Sequence, residues 1–223
     1  MVWGMTDNPV TPELLLNAYA SGVFPMADSR DDAEIFWVDP VRRGILPLND
    51  FHVSRSLKKL VKQEKFDVRI DTDFRGVMKA CAASADRREG TWISQHIEDL
   101  YCELHTHGFT HSVECWNDEK LVGGLYGVSL AGAFFGESMF HTETGASKVA
   151  LVHLVAQLKA GGFTLLDTQF GTDHLAQFGV IEIAREDYHI LLDQALNQAT
   201  ANFNELRQGL SGSTILQLIT QTS

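Results

Sequence analysis

The sequence predicts an α+β fold, a mixed sheet flanked by helices and preceded by a small N-terminal α/β domain. Three observations carry the prediction. Residues 110–117, 120–128 and 132–140 read as consecutive strands joined by short polar or glycine-containing turns. From residue 147 onward helical and strand patterns alternate, as expected for helices laid against a sheet. Ahead of both, residues 1–62 carry short elements ending in a strongly basic helix.

Pro12–Ala20 reads as a short helix, with Thr11 as N-cap, Pro12 in the first turn and Gly22 just past its end. Ile35–Val38 and Arg43–Leu46 read as short strands around the turn Asp39-Pro40. Residues 54–63 form a basic helix whose apolar stripe is Leu57, Leu60 and Val61. A soft boundary near 62–66 divides the chain into a small domain, 1–62, and a larger one, 63–223. The second part opens with a strand at 66–70 and a helix at 73–83. A polar loop at 84–90 follows, expected to be mobile, and then a helix at 93–107 closed by Gly108. After the three strands come a helix at 147–160, a strand at 163–168, a short helix near 171–177, a strand at 180–183 and a helix from Arg185. The segment from Leu210 onward is weakly patterned and expected to fray.

A chain of 223 residues needs no covalent staples to bury a core. Cys81, Cys102 and Cys115 are odd in number and lack metal-ligand spacing, which suits a reducing compartment. No basic region followed by an apolar run opens the chain, and no apolar stretch approaches the ~20 residues of a membrane span, so a cytoplasmic soluble protein is expected. The net charge of −11 argues against a nucleic-acid partner until its distribution is read. Residues 42–69 carry Arg42, Arg43, Arg55, Lys58, Lys59, Lys62, Lys65 and Arg69 against three acids, on an otherwise acidic body. Such a stripe can hold a phosphate backbone; a solvated helix face is the alternative.

Two short segments hold carboxylates in apolar settings: Gly136-Glu137-Ser138-Met139-Phe140-His141 and Asp167-Thr168-Gln169. Burying an unpaired carboxylate is costly, so such groups bind a cation, poise a proton transfer or satisfy a polar network. Asp167 and Gln169 stand two apart on a strand and share a face. A strand-end Asp capping the next helix, with Gln in a polar network, is the structural alternative. For Glu137 it is a cross-strand ion pair. Gly136-Glu137-Ser138 also approximates a nucleophile elbow, but the closing glycine is missing. His105 and His107 are two apart and do not share a helix face, so no metal is expected there.

Together with Trp116–Val128, these motifs resemble the leucyl/phenylalanyl-tRNA–protein transferases, over about Pro12 to Tyr188. The resemblance implies a GNAT-like acyltransferase domain. It also implies an activity: moving Leu, Phe or Met from aminoacyl-tRNA onto the N-terminal Arg or Lys of a protein, which marks that protein for degradation. It assigns catalysis to Asp167, Gln169 and Glu137, with Asp167 polarising Gln169. The aminoacyl pocket would be lined by Leu125, Phe134, Gly136, Leu151, Leu154 and Leu158. Trp37 and Trp92 would flank the terminal adenosine, and Arg42, Arg43, Arg55, Lys58, Lys59 and Lys62 would face the acceptor stem. The ester bond already holds the free energy for aminolysis, so no cofactor is expected; a monomer is expected. The Gly-rich pyrophosphate loop of CoA enzymes is absent from 141–148, which disfavours a CoA-dependent acyltransferase. A non-catalytic tRNA-binding module is the other alternative.

Strict alternation puts Phe134 and Gly136 opposite Glu137. If all three touch substrate, the strand must be bulged, and Gly136 is the natural place.

Overall fold

The computed structural model describes residues 2–3, 10–27, 35–86, 91 and 93–220. Its elements, in order, are β1 (Val2–Trp3), α1 (Pro12–Ala20), β2 (Phe24–Met26), β3 (Phe36–Val38), β4 (Arg42–Ile45), α2 (Arg55–Lys62), β5 (Asp67–Ile70), α3 (Phe74–Asp86) and α4 (Gln95–Thr106). There follow β6 (Thr110–Asn117), β7 (Lys120–Leu130), β8 (Ala133–His141), α5 (Ala146–Ala160), β9 (Leu165–Gln169), α6 (Asp173–Ala176), β10 (Ile181–Ala184), α7 (Arg185–Leu196) and α8 (Gly212–Thr220). Thr11 caps α1 as expected, and Ser54, Ser94 and Thr172 cap α2, α4 and α6 in the same way: each hydroxyl accepts a backbone N–H three residues on. Such a cap contributes about 1 kcal/mol.

Seven strands pair in the order β10-β4-β9-β8-β7-β6-β5, and a small sheet runs β1-β3-β2. The fold is therefore α+β with a mixed sheet flanked by helices. Neighbours in the large sheet are antiparallel except β8 and β9. That pair is parallel because α5 supplies the long crossover a parallel return needs.

Each face of the large sheet buries its own apolar core. On one side α2, α5 and α8 cover Val113, Leu125, Phe134 and Leu166. On the other, α1, α3, α4 and α7 cover Tyr126, Val128, Phe135 and Leu165. Each fully buried Leu or Phe contributes about 1.5–3 kcal/mol.

Some expectations need correction. The segment 212–220 is a helix, because Ile215, Leu216 and Ile219 share a face that is buried against α5 and α2. Helix α3 runs through residues 84–86 of the expected loop, and 87–90 lie outside the described residues. The short strands β1 and β2 were not anticipated; β2 exists through pairing with β3. On the N-terminal side of residue 62, β4 pairs with both β9 and β10, and α2 packs on α5 and α8. Among the described residues no helix is long and apolar enough to cross a membrane.

Candidate active site

The site opens where two parallel strands part. The β8–β9 ladder covers only Ala133–Phe135 and Leu165–Asp167. Beyond it β8 is bulged. Gly136 pairs with Gly127 and Ser138 with Tyr126, leaving Glu137 as the extra residue. The bulge reverses strand parity: Phe134 and Met139 face the α5 core, while Phe135 and Phe140 face the other. Gly127 is required opposite it, because a Cβ there would lie 2.3 Å from the Phe135 carbonyl oxygen.

β9 ends differently. Phe170 N–H donates to the Thr168 carbonyl at 2.6 Å, and Gln169 between them has φ 57°. This is a γ-turn with a non-glycine residue in the left-handed region, a conformation costing about 1–3 kcal/mol. Asp167 braces it. Its Oδ1 accepts the Gln169 backbone N–H at 2.7 Å. Arg43 grips the same carboxylate: Nε donates to Oδ1 and Oδ2 at 3.0 and 3.1 Å, and a terminal nitrogen donates to Oδ2 at 2.6 Å. Tyr188 adds its hydroxyl at 2.7 Å. Arg43 also donates to the Gly22 carbonyl at 2.9 Å and lies between the rings of Phe24 and Tyr188. Arg43 and Asp167 are 1% and 0% exposed, so the pair is sealed from solvent. Burial alone would lower the Arg43 pKa; the adjacent Asp167 carboxylate holds it above its usual value. Burial, then Asp167, raises that of Tyr188.

Glu137 has a different setting. Tyr19 donates to Oε1 at 2.8 Å, Tyr101 to Oε2 at 3.3 Å, and the two phenols hydrogen-bond each other. The Gln169 amide nitrogen donates to Oε1 at 3.0 Å. Desolvation pushes the Glu137 carboxyl up to about 8, the neighbouring Asp167 adds to this, and the two phenols oppose it. Burial, then Glu137, raises both phenols well above their ordinary range. The Gln169 side-chain oxygen accepts no hydrogen bond among the described residues. Thus Asp167 touches the backbone of Gln169, whereas Glu137 touches its side chain. The expected polarisation of the Gln169 amide by Asp167 has no direct contact to carry it.

Glu137 and Gln169 border a cavity of about 200 Å³ walled by Leu46, Leu125, Leu151, Leu154, Leu166 and Leu175. Thr168, Thr172 and His174 form part of its border. Of the expected pocket residues, Leu125, Gly136, Leu151 and Leu154 line it. Phe134 and Leu158 do not: both are fully buried in the core behind, where Phe134 stacks on Phe203. A larger cleft of about 380 Å³ lies under residues 206–215, beside α2, β5 and α5, and holds none of the expected catalytic or pocket residues. Its histidine, His153, is half-buried and is pushed down to about 4 by desolvation, so it is a neutral imidazole. Among the described residues no group of three His, Cys, Asp or Glu side chains could hold a metal ion.

Arg55, Lys58, Lys59 and Lys62 sit at i, i+3, i+4 and i+7 of α2, all exposed, and line one shallow depression. Arg42 is exposed on β4. Arg43 does not join them, because it is committed to Asp167. Strand parity was the available signal: Arg43 shares a face with the buried Ile45. Trp37 is 8% exposed in the apolar core that also holds Leu15 and Tyr19 of α1, and it does not line the cavity. Trp92 lies outside the described residues. Tyr19, Tyr101 and Tyr188 were missed, and no sequence signal links residues so far apart.

The model of the leucyl/phenylalanyl-tRNA protein transferase family matches residues 45–193, and that of its N-terminal domain matches 8–41. Curated relatives bearing the same name include that of Phenylobacterium zucineum, 60% identical over 94% of this chain and 96% of its own length. That of Maricaulis maris is 56% identical over 95% and 97%. That of Caulobacter vibrioides is 54% identical over 97% and 100%. A solved structure titled "The structure of L-PGS from Bacillus licheniformis" superposes with a TM-score of 0.40 at 13% identity, over 92% of this chain and 62% of that one, too remote to inform the fold. The chain belongs to the leucyl/phenylalanyl-tRNA–protein transferase family and is an aminoacyltransferase.

Proposed function

We propose that the protein transfers Leu, Phe or Met from aminoacyl-tRNA to the N-terminal Arg or Lys of acceptor proteins, marking them for degradation. The observation that carries this reading is the leucine-walled cavity with Glu137 and Gln169 at its border. An unbranched-β apolar side chain enters that cavity and loses water there. Its ester carbonyl then lies at the border, beside the two polar groups. By resemblance Trp37 and Trp92 flank the terminal adenosine. The cationic face of α2, with Arg42, takes the acceptor-stem phosphates, which position the nucleic acid without reading its sequence. A GNAT-like origin for the catalytic domain, 63–223, fits the mixed sheet and the parted strands.

Aminolysis needs the attacking amine oriented and relieved of a proton. The Gln169 side-chain oxygen accepts from the incoming amine, while its nitrogen stays fastened to Glu137. A free α-amine has a pKa of roughly 7.7–8.0. Glu137, pushed up to about 8, is matched to it, so a proton passes between them at little cost. Asp167 has its oxygens engaged by Arg43, Tyr188 and the Gln169 backbone. Its role is to hold the γ-turn that presents Gln169.

The test is transfer of radiolabelled leucine from Leu-tRNA to a peptide beginning with Arg. Product with Leu-tRNA and none with an acetyl-CoA donor is the expected result. Tight tRNA binding with no product would sink the proposal.

A further inference from the structure

An acceptor that begins with a basic residue brings a second cation beside its amine, and the acids around Gln169 differ in their freedom to meet it. Asp167 and Glu137 are engaged as described. Past Gln169 the chain crosses directly over β4, where a Cβ on Gly44 would lie 2.5 Å from the Phe170 carbonyl carbon. The crossing brings the Gly171 N–H to Oε1 of Glu182 on β10, at 3.2 Å. Glu182 is exposed, and its side chain forms no ion pair among the described residues. Arg42, on the adjoining strand, donates at 2.6 Å to the Glu182 backbone carbonyl and not to its carboxylate. The backbone contact from Gly171 fixes the carboxylate while leaving one oxygen to accept.

The spacing suits a basic side chain. Gly171 is two residues beyond Gln169, so their Cα atoms are at most about 7.6 Å apart, and an extended Lys or Arg side chain spans roughly 6–7 Å from Cα to its charged nitrogen. We infer that Glu182 receives the side-chain cation of the acceptor's first residue while Gln169 holds that residue's amine. This rests on the transfer reaction proposed above and names the residue that selects for a basic acceptor.

The experiment compares two peptides identical except for N-terminal Arg or citrulline, its uncharged isostere, with the enzyme saturated by Leu-tRNA. In the unmodified enzyme kcat/KM should favour Arg by about two- to fivefold, the scale of an exposed ion pair. In Glu182→Gln the ratio should fall to near one, with the change in KM. Asp173→Asn, altering another exposed acid just beyond Gln169, should keep the original ratio. If Glu182 serves only to order the crossing, both peptides suffer alike in Glu182→Gln, the ratio persists, and the inference is overturned. Loss of the ratio in Asp173→Asn with its retention in Glu182→Gln also overturns it. Equal use of both peptides by the unmodified enzyme removes the inference but leaves the transferase reading; no transfer to either removes both.

Discussion

Asp167 sits on the last rung that β8 and β9 share and Glu137 lies two residues past it, yet their surroundings differ in kind. Asp167 meets a buried guanidinium, a phenol and a backbone N–H, and is fully enclosed. Glu137 meets two phenols and a neutral amide, and one side borders a cavity. The first arrangement fixes geometry. The second leaves a carboxyl whose charge is negotiable near neutral pH. Glu114 on β6 extends the lesson. It is also fully buried, but it accepts from the backbone N–H groups of Thr72 and Asp73, from the hydroxyls of Thr72 and Ser112 and from the Trp116 indole. Satisfied on every side and away from the cavity, it anchors the turn into α3.

The largest expected effect is at Glu137. Glu137→Gln should slow single-turnover transfer by about 10²- to 10⁴-fold, the usual worth of a positioned proton acceptor. Its stability should also depend on pH in a defined direction. Burial raises the Glu137 pKa from 4.5 to about 8, so the folded state holds this proton more tightly than the unfolded chain. The resulting stabilisation is complete below about 4.5 and is lost as pH rises through about 8. Glu137→Gln escapes that loss, so its melting temperature relative to the parent should climb across this interval and then level off. A difference flat in pH would remove the contrast with Asp167.

Next comes the buried pair. Arg43→Met strands Asp167 without a cation and should cost about 3–5 kcal/mol, a fall in melting temperature of roughly 10 °C. Adding Asp167→Leu should restore much of the stability without restoring transfer. Wild-type transfer by the double variant would show that the brace is dispensable.

Gln169→Gly comes third. Glycine tolerates φ 57°, so the melting temperature should hold or rise by about 1–3 °C, while transfer falls at least about tenfold for want of the amide. A destabilised variant would mean that the side chain, and not the brace, supports the turn. The smallest effect per residue belongs to α2. Replacing Lys58, Lys59 and Lys62 with Ala should reduce the slope of log affinity for tRNA against log salt by about 2–3. An unchanged slope would move the nucleic acid off this face.

Elements with local signals were legible in the sequence. Strand alternation from 110 to 141 and the capped helices at 12, 55, 95 and 173 depend on residues a few positions apart. So did the need for a bulge near Gly136, because side-chain alternation is a rule of the backbone. The C-terminal helix was not legible, since the face bearing Ile215, Leu216 and Ile219 is stabilised by burial against α5 and α2 rather than by propensity. The partner of Asp167 was misassigned to the surface for a related reason: positive charge invites an exposed reading, and only the strand parity shared with Ile45 opposed it.

The sequence by itself determined the α+β class, the family and which short motifs bear the carboxylates and the amide, because these reside in motifs and periodicities written along the chain. Tertiary structure alone decided which carboxylate is held by a cation and which is free to titrate. Arg43 and Asp167 are 124 residues apart, and Tyr19 and Glu137 are 118. Desolvation and hydrogen bonding act through space, and their strength is set only once the sheet has brought such distant residues together.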